Sequence, residues 1–135
     1  MRCRISRCVA EAIQLAAAEA APREACGLLF GDAQAITGWS LTANAAADPE
    51  TRFEIDPGAL FTALRAERGG GPRIAGFWHS HPSGDPWPSA TDAQMAAPDG
   101  RLWLIAGGGQ ATLWRAGHGG EHGRFEPVAM ELLLD

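Results

Sequence analysis

The sequence predicts a mixed α/β domain, and three observations carry that reading. Apolar residues recur at helical spacing near the start, at Val9, Ile13 and Ala16–Ala17. Short apolar runs bounded by turn residues follow at Cys26–Phe30, Ile74–His79 and Leu102–Ile105. Between the first two lies a second helical stretch, opened by Asp56-Pro57. Strand-like and helix-like segments thus alternate, as in a sheet built together with helices.

Taken in order, the first helix is expected from Ser6 to Ala20, with Ser6 able to cap its start and Pro22 close to its end. Cys26-Gly27-Leu28-Leu29-Phe30 reads as a strand stopped by Gly31-Asp32, and a partner from about Gln34 to Thr42 completes a hairpin. Ala43 to Arg52 is small and polar, a loop, and Phe53-Glu54-Ile55 alternates like a brief strand. Asp56 then caps a helix with Pro57 at its first position, where a missing N–H costs nothing. Leu60, Phe61 and Leu64 mark its buried face, and Gly69-Gly70-Gly71-Pro72 breaks it.

Ile74 to His79 is the next strand and Ser89 to Met95 a short helix. Leu102-Trp103-Leu104-Ile105 is apolar on both faces, so it belongs in the middle of the sheet. Gln110 to Arg115 follows as a strand. His118 and His122 have metal-like spacing, but the glycines around them (Gly117, Gly119, Gly120, Gly123) point to a hairpin tip. Phe125 to Leu134 mixes a strand with a terminal apolar stretch.

Length and composition bound the function. A chain of 135 residues, 46% apolar and 20% charged, fits one globular domain, residues 1–135. A net charge of -5 argues against nucleic acid as the main partner, because phosphate binding needs clustered Lys and Arg. Three cysteines, Cys3, Cys8 and Cys26, make no closed disulfide framework; reduced thiols and a cytoplasmic location are expected. Cys26, inside an apolar strand, reads as a small buried hydrophobe and not as a nucleophile. Arg2, Arg4 and Arg7 precede an alanine-rich stretch in the manner of a secretion signal, but Glu11, Gln14 and Glu19 interrupt it. No apolar run approaches the roughly 20 residues that span a bilayer, so no membrane partner is expected.

The chemistry concentrates in His79-Ser80-His81-Pro82-Ser83-Gly84-Asp85-Pro86-Trp87-Pro88-Ser89-Ala90-Thr91-Asp92. On a strand, His79 and His81 share one face and Ser80 points to the other. The two imidazoles can converge on one ion, with Asp92 swinging in from the first turn of the following helix. Three protein ligands and an open position are the pattern of a catalytic zinc, expected here at one per chain. Ser89 and Asp92 also form a capping-box signature, which explains them without a metal, and the two roles are compatible. Asp85 stands four residues beyond His81, but between Gly84 and Pro86 it reads as a turn residue. Glu24, just before the Cys26 strand, is the candidate proton acceptor and donor, although by position alone it would be a solvated carboxylate. Ser89 is the candidate hydrogen-bond donor to an oxyanion. The chain lacks His-Glu-x-x-His and Pro-Cys-x-x-Cys, which sets aside the helical metalloproteases and the nucleobase deaminases.

These residues resemble the JAB/JAMM zinc metalloproteases, also called MPN-plus domains. That family pairs an upstream glutamate with His-x-His, seven residues, Ser, two residues and Asp; here these are Glu24, His79, His81, Ser89 and Asp92. Glu24-Ala25-Cys26-Gly27-Leu28-Leu29 and Gly76-Phe77-Trp78-His79-Ser80-His81-Pro82 are similar to its small prokaryotic branch. The resemblance runs from the first helix to about Trp114. It implies a three-layer sandwich, a curved mixed sheet flanked by helices. It also implies hydrolysis of a peptide or isopeptide bond at the C-terminal tail of a ubiquitin-like or sulfur-carrier protein ending in Gly-Gly. Trp78 is expected in the core and Trp87 at the wall of the groove for that tail. The short stretch from Asp92 to Arg101 leaves little room for the insertions with which larger relatives grip ubiquitin chains. Two alternatives are an MPN-type binding module without turnover, and a RadC-like protein linked to DNA metabolism, suggested by Pro82-Ser83-Gly84-Asp85-Pro86.

Overall fold

The computed structural model describes residues 1–134. Along them run β1 (Arg2–Ser6), α1 (Arg7–Ala20), β2 (Cys26–Gly31), β3 (Ala35–Thr42), α2 (Pro57–Arg68), β4 (Ile74–Ser80), α3 (Ala90–Met95), β5 (Leu102–Gly107), β6 (Gln110–Glu121) and β7 (Phe125–Leu133). The strands pair in the order β1-β3-β2-β4-β5-β6-β7, and β7 returns to β1. The expected three-layer sandwich is therefore overturned: the sheet is a closed seven-stranded barrel accompanied by three short helices.

Arg2–Ser6 makes the difference. Its arginines look like a polar lead-in to the helix, yet Cys3 and Ile5 alternate with them and are fully buried, the period of a half-buried strand. β1 runs parallel to β3 at Arg4–Ala35 and Ile5–Ile36, and parallel to β7 from Arg2–Ala129 to Ser6–Leu133. It thereby bridges two strands that would otherwise be open edges with unpaired backbone groups. The same pairing makes Phe125–Leu133 one continuous strand instead of a strand plus an apolar tail.

Three smaller expectations also change. Ser6 occupies the N-cap of α1 but makes no side-chain capping bond. Phe53–Ile55 is not a strand and contributes a single bridge between Asn44 and Ile55. Two backbone bonds flank that bridge, Ala45 N donating to the Glu54 carbonyl at 2.9 Å and Asp56 N to the Ala43 carbonyl at 3.2 Å. Asn44 Oδ1 adds to them by accepting from Ala46 N and Glu54 N at 3.0 and 3.1 Å. In α2, capped as expected by Asp56 accepting from Ala59 N at 3.0 Å, the inner face is Leu60, Ala63 and Leu64. Phe61 faces outward, 57% exposed, with the Arg65 guanidinium over its ring.

Alternation along the central strands sorts the core. Leu29, Trp78, Leu102 and Leu104 join Val9 and Ile13 of α1 in one cluster, while Cys26, Leu28, Trp103 and Ile105 join Phe53, Ile55, Trp114 and Phe125 in another. Trp78 is core, as expected, and its Nε1 donates to the Ser40 carbonyl at 2.9 Å. That reach passes over Gly27, where a Cβ would stand 2.5 Å from the indole nitrogen and closer still to the Ser40 carbonyl. Gly27→Ala is expected to destabilise the fold by about 2–3 kcal/mol, checked by urea denaturation; an unchanged midpoint would refute the close approach.

Candidate metal centre

β4 lies between β2 and β5, so its last residues are fixed from both sides, His79 opposite Cys26 and Ile105. Packing sets the orientation of the His79 ring. It is fully buried, stacks on Phe53 (centroids 4.2 Å apart, 19° between planes) and meets Trp103 nearly edge-on at 5.7 Å. Two residues on, His81 shares that face. Its backbone N–H donates to the Ala106 carbonyl at 2.8 Å, and its ring Nδ1 faces the Asp85 carbonyl at 2.8 Å. A carbonyl only accepts, so Nδ1 carries a proton and Nε2 is the nitrogen left to act as a ligand. Ser80 points the other way, as expected, and its Oγ accepts from Ala25 N at 2.8 Å, tying β4 to the segment that carries Glu24.

Ser89 and Asp92 form the capping box of α3: Ser89 Oγ accepts from Asp92 N, and Asp92 Oδ2 accepts from Ser89 N, both at 3.0 Å. The cap carries Asp92 into the interior, 2% exposed. There its Oδ1 is 3.1 Å from His79 Nε2, its Oδ2 is 3.1 Å from His81 Nε2, and the two nitrogens are 3.0 Å apart. Asp85 stays out of this cluster: its Oδ1 accepts from Trp87 N at 3.1 Å, closing a turn.

Glu24 enters from the end of the loop before β2. Its N–H donates to the Pro49 carbonyl at 2.7 Å, and its carbonyl accepts from Asn44 Nδ2 at 3.0 Å. The side chain is 5% exposed, not solvated, and its Oε1 is buried with no hydrogen-bond partner. A Glu24 oxygen and one ring nitrogen from each histidine lie within 4.8 Å of one another, a cluster able to hold a metal ion. Zinc fits. Ligands 2.0–2.1 Å from a tetrahedral zinc stand about 3.3 Å apart, close to the spacing among His79, His81 and Asp92. Two imidazole nitrogens and a carboxylate meet at one point, where a cation would replace the hydrogen bonds the histidines make to Asp92. Glu24, whose Oε1 has no partner, lies in the same cluster.

The electrostatics separate the two carboxyls. Burial pushes Glu24 up to about 7, with the Asp92 charge adding to the rise and His81 opposing it. Burial would raise Asp92 as well, but hydrogen bonds from His79 and His81 outweigh it and hold Asp92 well below the usual carboxylate range. His79 is lowered by burial. Burial also pulls on His81, yet the Asp92 hydrogen bond, the Asp85 carbonyl and the charges of Asp92 and Glu24 leave it raised. Cys26 is pushed up to about 11 by burial, which leaves it inert beside the site.

His81, Glu24, Ser89, Glu50 and Trp87 line a cleft of about 310 Å³. Trp87 is 53% exposed and leans on Trp114, ring centroids 4.9 Å apart. Thr112 Oγ1 donates to the Pro86 carbonyl and in turn accepts from Trp114 Nε1 at 2.7 Å. Phe53, Asn44 and Thr112 are the functional neighbours that sequence reasoning missed. Only Asn44, a lone asparagine after a strand at the head of a small-residue loop, carries a local signal.

A family model described as prokaryotic homologs of the JAB domain matches residues 6–117. The chain is 42% identical over 86 residues to the desampylase of Haloferax volcanii, an alignment covering 62% of this chain and 62% of that protein. A solution structure from Desulfitobacterium hafniense superposes with a TM-score of 0.82 at 23% identity, covering 98% of this chain and 93% of that one. A JAB1/MPN domain protein from Archaeoglobus fulgidus superposes with a TM-score of 0.60 at 19% identity, covering 96% and 98%. The two structures share the fold; the family model spans most of the chain, including every residue of the expected motif. The chain belongs to the JAB/MPN domain family of JAMM-type zinc metalloproteases, in its small prokaryotic branch.

Proposed function

We propose that this protein is a zinc-dependent hydrolase that cleaves an amide bond at the C-terminal tail of a ubiquitin-like or sulfur-carrier protein. The observation that carries the proposal is the meeting of His79, His81 and Asp92 beside a buried, partnerless Glu24 oxygen. His79, His81 and Asp92 would hold the metal. When bound, zinc supplies a Lewis acid that acidifies water and polarises a carbonyl.

The chain's own groups do the rest. Glu24, poised near neutrality by burial, takes a proton from the attacking water and returns it to the leaving amine. Asp92 stays charged and orients both imidazoles, so the two carboxyls divide acid–base work from ligation. Ser89 accepts from Asp92 N, which leaves its hydroxyl hydrogen to donate to the oxyanion in the cleft. A cleft of about 310 Å³ takes an extended segment, not a folded domain, and this supports a tail as substrate. The likeness to a desampylase supports the same class. A binding module without turnover has no use for a buried acid whose ionisation is costly.

The test is incubation of the zinc-loaded protein with a ubiquitin-like protein conjugated through a Gly-Gly tail, read by mass spectrometry. Release of the intact tail is expected; no cleavage by metal-loaded protein would overturn the proposal. Ser89→Ala separates two roles. Loss of the oxyanion donor is expected to slow turnover about 10²–10³-fold, and loss of the cap to cost about 1 kcal/mol of stability. A stability loss with unchanged turnover would leave Ser89 as a cap only.

A further inference from the structure

The loop from Pro82 to Ser89 presents Ser89 and Asp92, and its own chemistry dictates how it is held. Pro86 and Pro88 have no N–H, so there the backbone can be gripped only through carbonyl oxygens. Side-chain donors grip three of them: His81 Nδ1 at Asp85 O, Thr112 Oγ1 at Pro86 O, and His122 Nε2 at Pro88 O, the last at 3.0 Å. His122 stands at the tip of the β6–β7 hairpin, 34 residues away.

Its backbone is costly. His122 has φ 52 and Gly123 has φ 64, with Arg124 N donating to Glu121 O at 3.0 Å, a type I′ turn. Such turns favour Asn-Gly; histidine also enters the left-handed region more readily than most residues, at a cost that asparagine largely avoids. What it holds is one rigid unit. The Pro88–Ser89 peptide is trans and planar, so its C=O and N–H point in opposite directions. The C=O faces His122 while the Ser89 N–H donates to Asp92 Oδ2, the oxygen 3.1 Å from His81 Nε2. A hydrogen bond at the carbonyl also polarises the N–H and strengthens it as a donor.

We infer that His122 is a positioning residue: through the Pro88–Ser89 peptide it fixes the Ser89 N–H that holds the Asp92 carboxylate toward His81. This rests on the reading of the site as a metal centre and extends it to a residue in no contact with the ligands.

The test uses His122→Asn, which keeps the left-handed turn but is too short to reach Pro88, and His122→Gln, whose terminal amide reaches about as far as the imidazole. In metal-free protein, amide exchange at Ser89, followed by NMR, is expected to quicken about fivefold in H122N, the loss of one ordinary hydrogen bond. Zinc affinity, from competition with a chromophoric chelator, is expected to fall about tenfold, in the range of losses for outer-sphere partners. H122Q is expected to stay within about twofold of the parent in both measurements. The H122N unfolding midpoint is expected to hold or rise as strain is relieved. Unchanged Ser89 exchange in H122N overturns the inference, as does a zinc loss that merely tracks a fallen midpoint and is not rescued by glutamine. If the parent binds no zinc while Ser89 exchange still responds, the metal reading fails and the peptide relay stands.

Discussion

Glu24→Gln is expected to lower hydrolysis by about 10²–10⁴-fold while zinc stays bound, and to make the metal-free protein more stable above neutral pH. Both effects come from burial. The amide keeps the shape of the side chain but can neither accept nor return the proton. The stability effect follows from the sign of the shift. Glu24 titrates near 7 in the fold against an ordinary 4.5, so between those values the folded state holds a proton that the unfolded chain has lost. Raising the pH through that window removes stability, and above about 7 the deficit is complete. At about 1.4 kcal/mol per pH unit, its ceiling is about 3 kcal/mol. Urea denaturation of chelator-stripped parent and E24Q at about pH 5 and pH 8 should therefore show a gap that opens with pH. Unchanged turnover in E24Q would remove Glu24 from its proposed role, and a gap independent of pH would remove burial as the cause.

Asp92→Asn is expected to strip the metal. Parent protein should carry about one zinc per chain, and D92N close to none after dialysis against a weak chelator, because the neutral amide offers a far poorer ligand. His81→Ala should behave alike. Asp85→Asn serves as the control: its carboxylate closes a turn, while its backbone carbonyl, unchanged by the substitution, is what meets His81. Elemental analysis of the four proteins decides, and zinc lost from D85N but kept in D92N would exchange the two aspartates. The stability effect of D92N runs opposite to that of E24Q. The folded-state titration of Asp92 lies below its ordinary 3.8, so its charge contributes stability above that pH and loses it as the solution turns acid. D92N should therefore weaken the metal-free protein at neutral pH, where E24Q strengthens it.

Much of the site was legible because its spacing is local. Two residues along a strand return to the same face, so His-x-His fixed a shared direction for the imidazoles before any neighbour was known. Ser89 and Asp92 are one helical turn apart, so the cap that starts α3 also turns Asp92 inward. Glu24 was legible as a candidate from its place before β2, but its burial was not, since nothing near it in sequence shows that Asn44 and Pro49 close over its backbone. The helix from Pro57 was placed by its cap, but its inner face was misjudged at Phe61 because α2 meets the barrel on one narrow side.

By itself, then, the sequence determined which polar side chains share a strand face or a helix cap and which elements present them, since capping, pleat and turn formation act over a few residues. Tertiary structure decided that Arg2–Ser6 closes the sheet into a barrel, that Phe53 stacks on His79, and that His122 reaches Pro88. The physical reason is that these contacts depend on which strands become neighbours. That choice is settled by edge pairing and burial summed over the whole chain, and no local periodicity records it.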